Sequence, residues 1–150
     1  MASNNTIKSK KQVTNLLIRD FNIMQLGYDF MGYRVNSRQD LSFHHMIISH
    51  DESKRIGLEK GGYLYWNGAI LCRDTAHSYL HLVETFDRFK FEVITCNMII
   101  MNNKGYLDKN CLIDIDKCLT AFEEEHLDDI NSKGDQLIKS IWISDRRKFY

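Results

Sequence analysis

Apolar residues recur at helical spacing from Gln12 to Met24, and Val13, Leu16, Leu17, Phe21 and Met24 predict a first amphipathic helix. The polar residues 1–11 before it read as a flexible start. Gly27 and Gly32 bracket an aromatic stretch, Tyr28-Asp29-Phe30-Met31, expected to turn the chain and pack over the core. Leu41 to Ile48 is apolar and β-branched apart from two histidines, which predicts a strand ending near His50. Asp51 to Gly62 is charged and glycine-punctuated, a loop with room for one helical turn over Ser53 to Leu58. Ala69 to Cys72 suits a second strand paired with the first. Asp74 or Thr75 then offers an N-cap for a helix running through His77 to about Phe89.

The remainder has a helical pattern. Val93 to Ile100 predicts a helix ended by the Asn102-Asn103-Lys104-Gly105 turn, and Leu112, Ile115, Leu119 and Phe122 mark the core stripe of the next. Leu137 to Ile143 suggests a last short element. The absence of proline fits a helix-rich chain. The expectation is one α+β domain over 1–150, with a strand–strand–helix unit at 41–90 and a helical extension over 91–150.

Composition narrows the class more than the function. At 150 residues, with 43% hydrophobic and 27% charged content, the chain can bury a real core. Twenty basic and twenty acidic residues cancel, so global charge gives no support to phosphate binding. The charges are nonetheless segregated. Lys8, Lys10, Lys11 and Arg19 open the chain, Glu123, Glu124, Glu125, Asp128 and Asp129 form an acidic block around a surface His126, and Arg146, Arg147 and Lys148 close it. The four cysteines show no CxxC spacing, so free thiols in a cytoplasmic setting are expected. No apolar run approaches the roughly 20 residues needed to cross a bilayer, and from the polar start no signal peptide is expected.

Chemistry concentrates in the histidines. His77 and His81 stand four residues apart on the predicted helix and so share one face, a spacing used by paired metal ligands. His44 and His45 are adjacent on a predicted strand and must point to opposite faces. One of the two can face a cation while the other faces the bound substrate. Imidazole suits both tasks, as the commonest metal ligand and as a base near neutral pH.

The segments Phe43-His44-His45-Met46-Ile47, Trp66-Asn67-Gly68-Ala69-Ile70-Leu71-Cys72 and Ala76-His77-Ser78-Tyr79-Leu80-His81 resemble the HNH endonucleases of the His-Me finger (ββα-metal) superfamily. More narrowly they resemble small HNH-like proteins of phages and prophages of low-GC bacteria. The likeness covers residues 41–84, under a third of the chain. It implies a ββα-metal core in which His44 and His77 ligate a divalent ion, with His81 a further ligand as in the colicin DNase branch. His45 would be the general base. Asn67 would ligate the metal or brace the loop that aims His45. Imidazole ligands favour zinc, nickel or manganese over magnesium. Many relatives carry a structural zinc on two CxxC pairs; here Thr75 and Ala76 replace the partner of Cys72, so no structural zinc is expected.

The resemblance implies a metal-dependent endonuclease acting on DNA, or less readily RNA, in a bacterial or phage-infected cell. His50, Tyr63, Trp66 and Arg73 are its candidate nucleic-acid contacts, His50 also as a substitute ligand and the aromatics as stacking platforms or loop anchors. Two other readings stand beside it. The frame can persist in an inactive phage protein that binds and modulates a host protein, which the neutral charge and acidic block favour. Alternatively His44, His77, His81 and Cys72 close around a purely structural ion.

Overall fold

The computed structural model describes residues 9–58 and 63–133, the last three as backbone only. The expected strand pair forms. Strands β1 (Leu41–His45) and β2 (Gly68–Cys72) run antiparallel, with Leu41 opposite Cys72 and His45 opposite Gly68. Directly paired residues share a face, so Leu41, Phe43, His45, Ile70 and Cys72 point one way, and Ser42, His44, Ala69 and Leu71 the other. Every residue of β2 is buried, which explains its unbroken apolar run. This small sheet among helices makes the fold α+β.

Helix α1 (Lys10–Asp20) packs on both strands and begins earlier than its apolar stripe predicts. Ser9 and Gln12 form a reciprocal capping box: Gln12 N–H donates to Ser9 Oγ at 3.3 Å, and Ser9 N–H to Gln12 Oε1 at 2.8 Å. Residues 9–11 are therefore the capped start of a helix, not a flexible lead; residues 1–8 lie outside the described residues. The helix also stops short of Met24. Asn22 adopts the left-handed conformation (φ 51°) and breaks it, leaving α2 (Ile23–Leu26) as one turn closed by Gly27. Met24 consequently stays exposed, whereas Val13, Leu17 and Phe21 are buried.

The Gly27–Gly32 stretch packs into the core as expected, with Phe30 and Met31 fully buried. Its anchor is Asp29, whose buried carboxylate accepts from the backbone N–H of Met31, Tyr33 and Cys72. Burial raises that carboxyl to about 6, against the pull of these three donors. Beyond β1, α3 (His50–Arg55) starts at His50 under a Ser49 cap, ahead of the expected turn.

The second strand leads into a π-helical turn, Arg73–His77, continuous with α4 (Ser78–Phe86). Neither Asp74 nor Thr75 caps it. Asp87 instead ends α4 and caps α5 (Arg88–Lys104), accepting from Lys90 N–H, and Gly105 in the left-handed region closes α5. Helix α6 (Lys109–Lys133) buries Leu112, Ile115, Leu119 and Phe122, the stripe read from the sequence. Leu137 to Ile143 and the basic residues that close the chain lie outside the described residues. One hydrophobic cluster joins α1, both strands, α4, α5 and α6. No described helix is long and apolar enough to cross a membrane.

Gly68 marks where this packing is tightest. A Cβ there would overlap the Phe43 ring and stand 2.8 Å from Leu17 Cδ1, and Phe43 is backed by Tyr63 at 5.0 Å. Gly68→Ala is expected to cost about 1–3 kcal/mol in denaturant unfolding, the usual effect of overpacking. An unchanged midpoint would mean that the ring has room to move.

Candidate active site

A cleft of about 370 Å³ opens where β1 ends, and His44, His45, His50, His77 and His81 all line it. Five of the chain's six histidines therefore meet in one hollow. The strand places His44 and His45 on opposite faces, as alternation requires. The His44 ring stands 5.2 Å from His77 and 6.4 Å from His81, while the His45 ring packs against Phe43 (4.9 Å), Tyr63 (4.8 Å) and His50 (5.7 Å). Both reach the cleft because the strand terminates there. The rings of His77 and His81 stack at 4.9 Å with 23° between their planes.

Hydrogen bonding fixes the proton on His77. Ser42 Oγ lies 3.0 Å from the Leu71 carbonyl and 2.8 Å from His77 Nδ1. A carbonyl only accepts, so the one hydroxyl hydrogen of Ser42 goes to Leu71 and its oxygen accepts from His77 Nδ1–H. That leaves the Nε2 lone pair of His77 for a ligand. Burial, helped by the neighbouring imidazoles, holds His77 down at about 4. His44 is more extreme: burial pushes it to about 3, and its Nε2 is enclosed without a hydrogen-bond partner. Leaving a buried polar atom unsatisfied costs roughly 1–3 kcal/mol. A neutral, orphaned nitrogen beside a second neutral imidazole fits a cation better than it fits any group of the chain.

Asn67 has no capacity left for a metal. Its fully buried Oδ1 accepts from Ile47 N–H and Ile48 N–H, each at 2.8 Å, and its Nδ2 donates to the Ile48 carbonyl at 2.8 Å. Of its two expected roles only bracing is compatible with these bonds, so an oxygen ligand from Asn67 is ruled out. The same bonds pull residues 47 and 48 out of the sheet, which is why β1 ends at His45. Asn102 extends the brace from α5, donating to the carbonyls of Tyr65 and Gly68 at 3.0 and 2.6 Å. Asn67→Ala strips three partners from buried or half-buried backbone and is expected to cost about 2–3 kcal/mol. Equilibrium denaturation reads this directly, and a loss under 0.5 kcal/mol would discount the brace (about half the usual worth of a single bond).

Other expected contacts are less central. Tyr63 stacks against His45 but does not line the cleft, and Lys10 Nζ sits 5.9 Å over its ring. Trp66 is exposed outside the cleft. Arg73 is spent on structure, donating to the carbonyls of Gln39 and Leu41. Cys72 cannot close a structural ion site, because it lies at the far end of the hairpin, on the face opposite His44. Its buried thiol faces the Arg34 carbonyl at 3.5 Å, and burial raises its pKa far above the usual range.

Sequence reasoning missed Ser42, Glu84 and Arg88. The last two line the cleft: Glu84 continues the face of His77 and His81 at position +7, visible in the spacing alone, whereas Arg88 opens α5 beyond the break at Asp87. His126 is half-buried rather than on the surface, its ring 4.6 Å from Phe122 at a kink in α6. Among the described residues, the three-ligand set within 4.8 Å is Asp87, Glu125 and His126. Lys90 Nζ already stands 3.3 and 3.2 Å from the two carboxylates and supplies their positive charge. His44, His77 and His81 do not approach one another that closely as they stand, and drawing them onto one ion needs movement, most easily of exposed His81. A wider hollow of about 580 Å³ beside α1, between Arg19 and Arg38, holds none of the expected site residues.

Comparison of the chain with protein-family models, curated proteins and solved structures returns no match.

Proposed function

We propose that this protein is a metal-dependent phosphodiesterase of the HNH type, a small endonuclease acting on DNA. The observation that carries the reading is the meeting of five histidines in one cleft, with buried His44 Nε2 lacking a partner beside neutral His77. On this reading the hairpin and α4 correspond to a ββα-metal unit, with His44, His77 and His81 as the imidazoles that hold the ion. Three nitrogen donors and no amide oxygen favour zinc or nickel over manganese and magnesium. A bound divalent cation would polarise the phosphodiester and stabilise the leaving 3′ oxygen.

The chain's own groups supply the remaining steps. His45, on the opposite strand face, takes the proton of the attacking water. Asn67 holds the segment that follows His45, so the ring is aimed by a rigid support. His77 is kept in the Nδ1–H tautomer by Ser42.

A second reading is an inactive protein of the same frame that binds a host protein. The zero net charge and the separation of the three imidazoles favour it. Calorimetric titration with zinc, nickel and manganese, run alongside relaxation of supercoiled plasmid, distinguishes the two. Binding with cleavage is expected for the endonuclease; neither binding nor cleavage overturns it in favour of the binder.

A further inference from the structure

The geometry points to Glu84 as the residue that positions His81, as Ser42 positions His77. The inference rests on the cleft being a cation site only for what the positioning serves. His81 Nδ1 faces Glu84 Oε1 at 3.7 Å, within ion-pair range and slightly beyond hydrogen-bond length. Both side chains are exposed enough, at 60% and 39%, for a small rotation to close that gap. The other carboxylate oxygen is held from behind, with Arg88 Nη1 3.3 Å from Glu84 Oε2. Arg88 is itself restrained, its Nε bonded to Glu92 at 3.2 Å and its guanidinium 5.1 Å from the Phe91 ring centroid. Glu84 is thus a directed carboxylate, not a freely swinging one.

An imidazole whose Nδ1–H points at a carboxylate carries its lone pair on Nε2 and is a stronger donor there. His77 and His81 lie nearly parallel, each with Nδ1 facing an anchor on this account, Ser42 for one and Glu84 for the other. Both then present Nε2 to the cleft beside the bare Nε2 of His44. Once movement of exposed His81 draws the three together, they would form an all-nitrogen donor set for a borderline divalent cation such as Zn(II). Glu84 touches neither substrate nor cation; it acts through His81.

The test reads the tautomer first and the cation second. Long-range nitrogen–proton NMR of the metal-free protein at about pH 8, where imidazole is neutral, is expected to show His81 as the Nδ1–H form. Glu84→Ala should shift it toward the Nε2–H form, and Glu84→Gln, which keeps an acceptor oxygen, should retain most of the wild-type signal. Calorimetry with Zn(II) alone should then show affinity about 10–100-fold weaker in Glu84→Ala, the usual effect of losing an outer-shell partner, with a smaller loss in Glu84→Gln. A His81 tautomer identical in wild type and Glu84→Ala overturns the assignment. A Glu84-dependent tautomer in a protein that binds no Zn(II) upholds the positioning and overturns the cation site instead.

Discussion

Replacing His45 with alanine is expected to lower divalent-metal-dependent plasmid cleavage by about 10²–10⁴-fold, the range of a lost general base, while the protein stays folded. The ring is half-buried and packs on Phe43 and Tyr63, so its removal trims an edge of the cleft and leaves the core intact. The end of the hairpin is held by other groups as well, since Met46 N–H bonds the Asn67 carbonyl at 2.8 Å and the Asn67 side chain holds the two residues beyond. His50 stands 5.7 Å away and is a neighbour able to substitute as a base. The comparison therefore includes His45→Ala alone and with His50→Ala. Zn(II) or Mn(II) affinity should barely change in either, since His45 faces away from His77. Full cleavage by the double variant would remove His45 from the chemistry. Loss of cation binding along with cleavage would move it into the ligand set.

The parts of the molecule legible in the sequence are those set by one-dimensional periodicity. The strand pair, α5 and the buried stripe of α6 follow from spacing of two or of three to four residues. The facing of His77 with His81, and the opposition of His44 to His45, follow from the same rules. What spacing cannot carry is the reciprocal hydrogen bond. The capping box at Ser9 and Gln12 turned an apparently loose start into helix, and the left-handed Asn22 ended α1 before its apolar pattern ran out. The bonds of Asn67 ended β1 at His45, although Ile47 and Ile48 are good strand formers. At Asn67 a polar side chain competes with the strand for backbone partners, at Ser9 and Gln12 polar side chains complete a helix end, and at Asn22 the backbone conformation itself makes the break.

The site shows the same division. Spacing paired His77 with His81 and opposed His44 to His45, whereas the meeting of strand and helix histidines was implied by the resemblance alone. Ser42 could not be read from spacing, since its part depends on a carbonyl of the neighbouring strand. Glu84 was legible in principle as the continuation of a polar stripe, but charged residues on a helix face most often mark solvent; Arg88 was not, since it reaches the cleft from α5 across the break at Asp87. His126 lay inside an acidic block and read as surface, yet α6 kinks there and its ring settles against Phe122.

Burial of uncharged imidazoles makes the metal-free protein acid-labile in a defined window. His44 stays neutral in the folded state down to about 3 and His77 down to about 4, whereas in the unfolded chain each takes up a proton near 6.5. Between those limits the unfolded state binds more protons, so stability falls as pH falls. The loss starts below about pH 6.5 and is complete only below the folded-state values. For His44 alone the displacement corresponds to roughly 5 kcal/mol, a large share of a small domain's stability. Urea unfolding in chelator is expected to show a markedly lower midpoint at pH 5 than at pH 7.5. His44→Leu, which removes the titrating group at similar volume, should flatten that dependence. Parallel pH profiles for the two proteins would show that His44 is not the neutral, enclosed group described. A cation that binds these nitrogens adds stability in proportion to its occupancy, so saturating Zn(II) should raise the pH 5 midpoint. Protons compete for His44 and His77 in the folded protein only near pH 3 to 4, so the burial that destabilises the cleft in acid also leaves both imidazoles neutral in mildly acidic solution, the state that the proposed cation site requires.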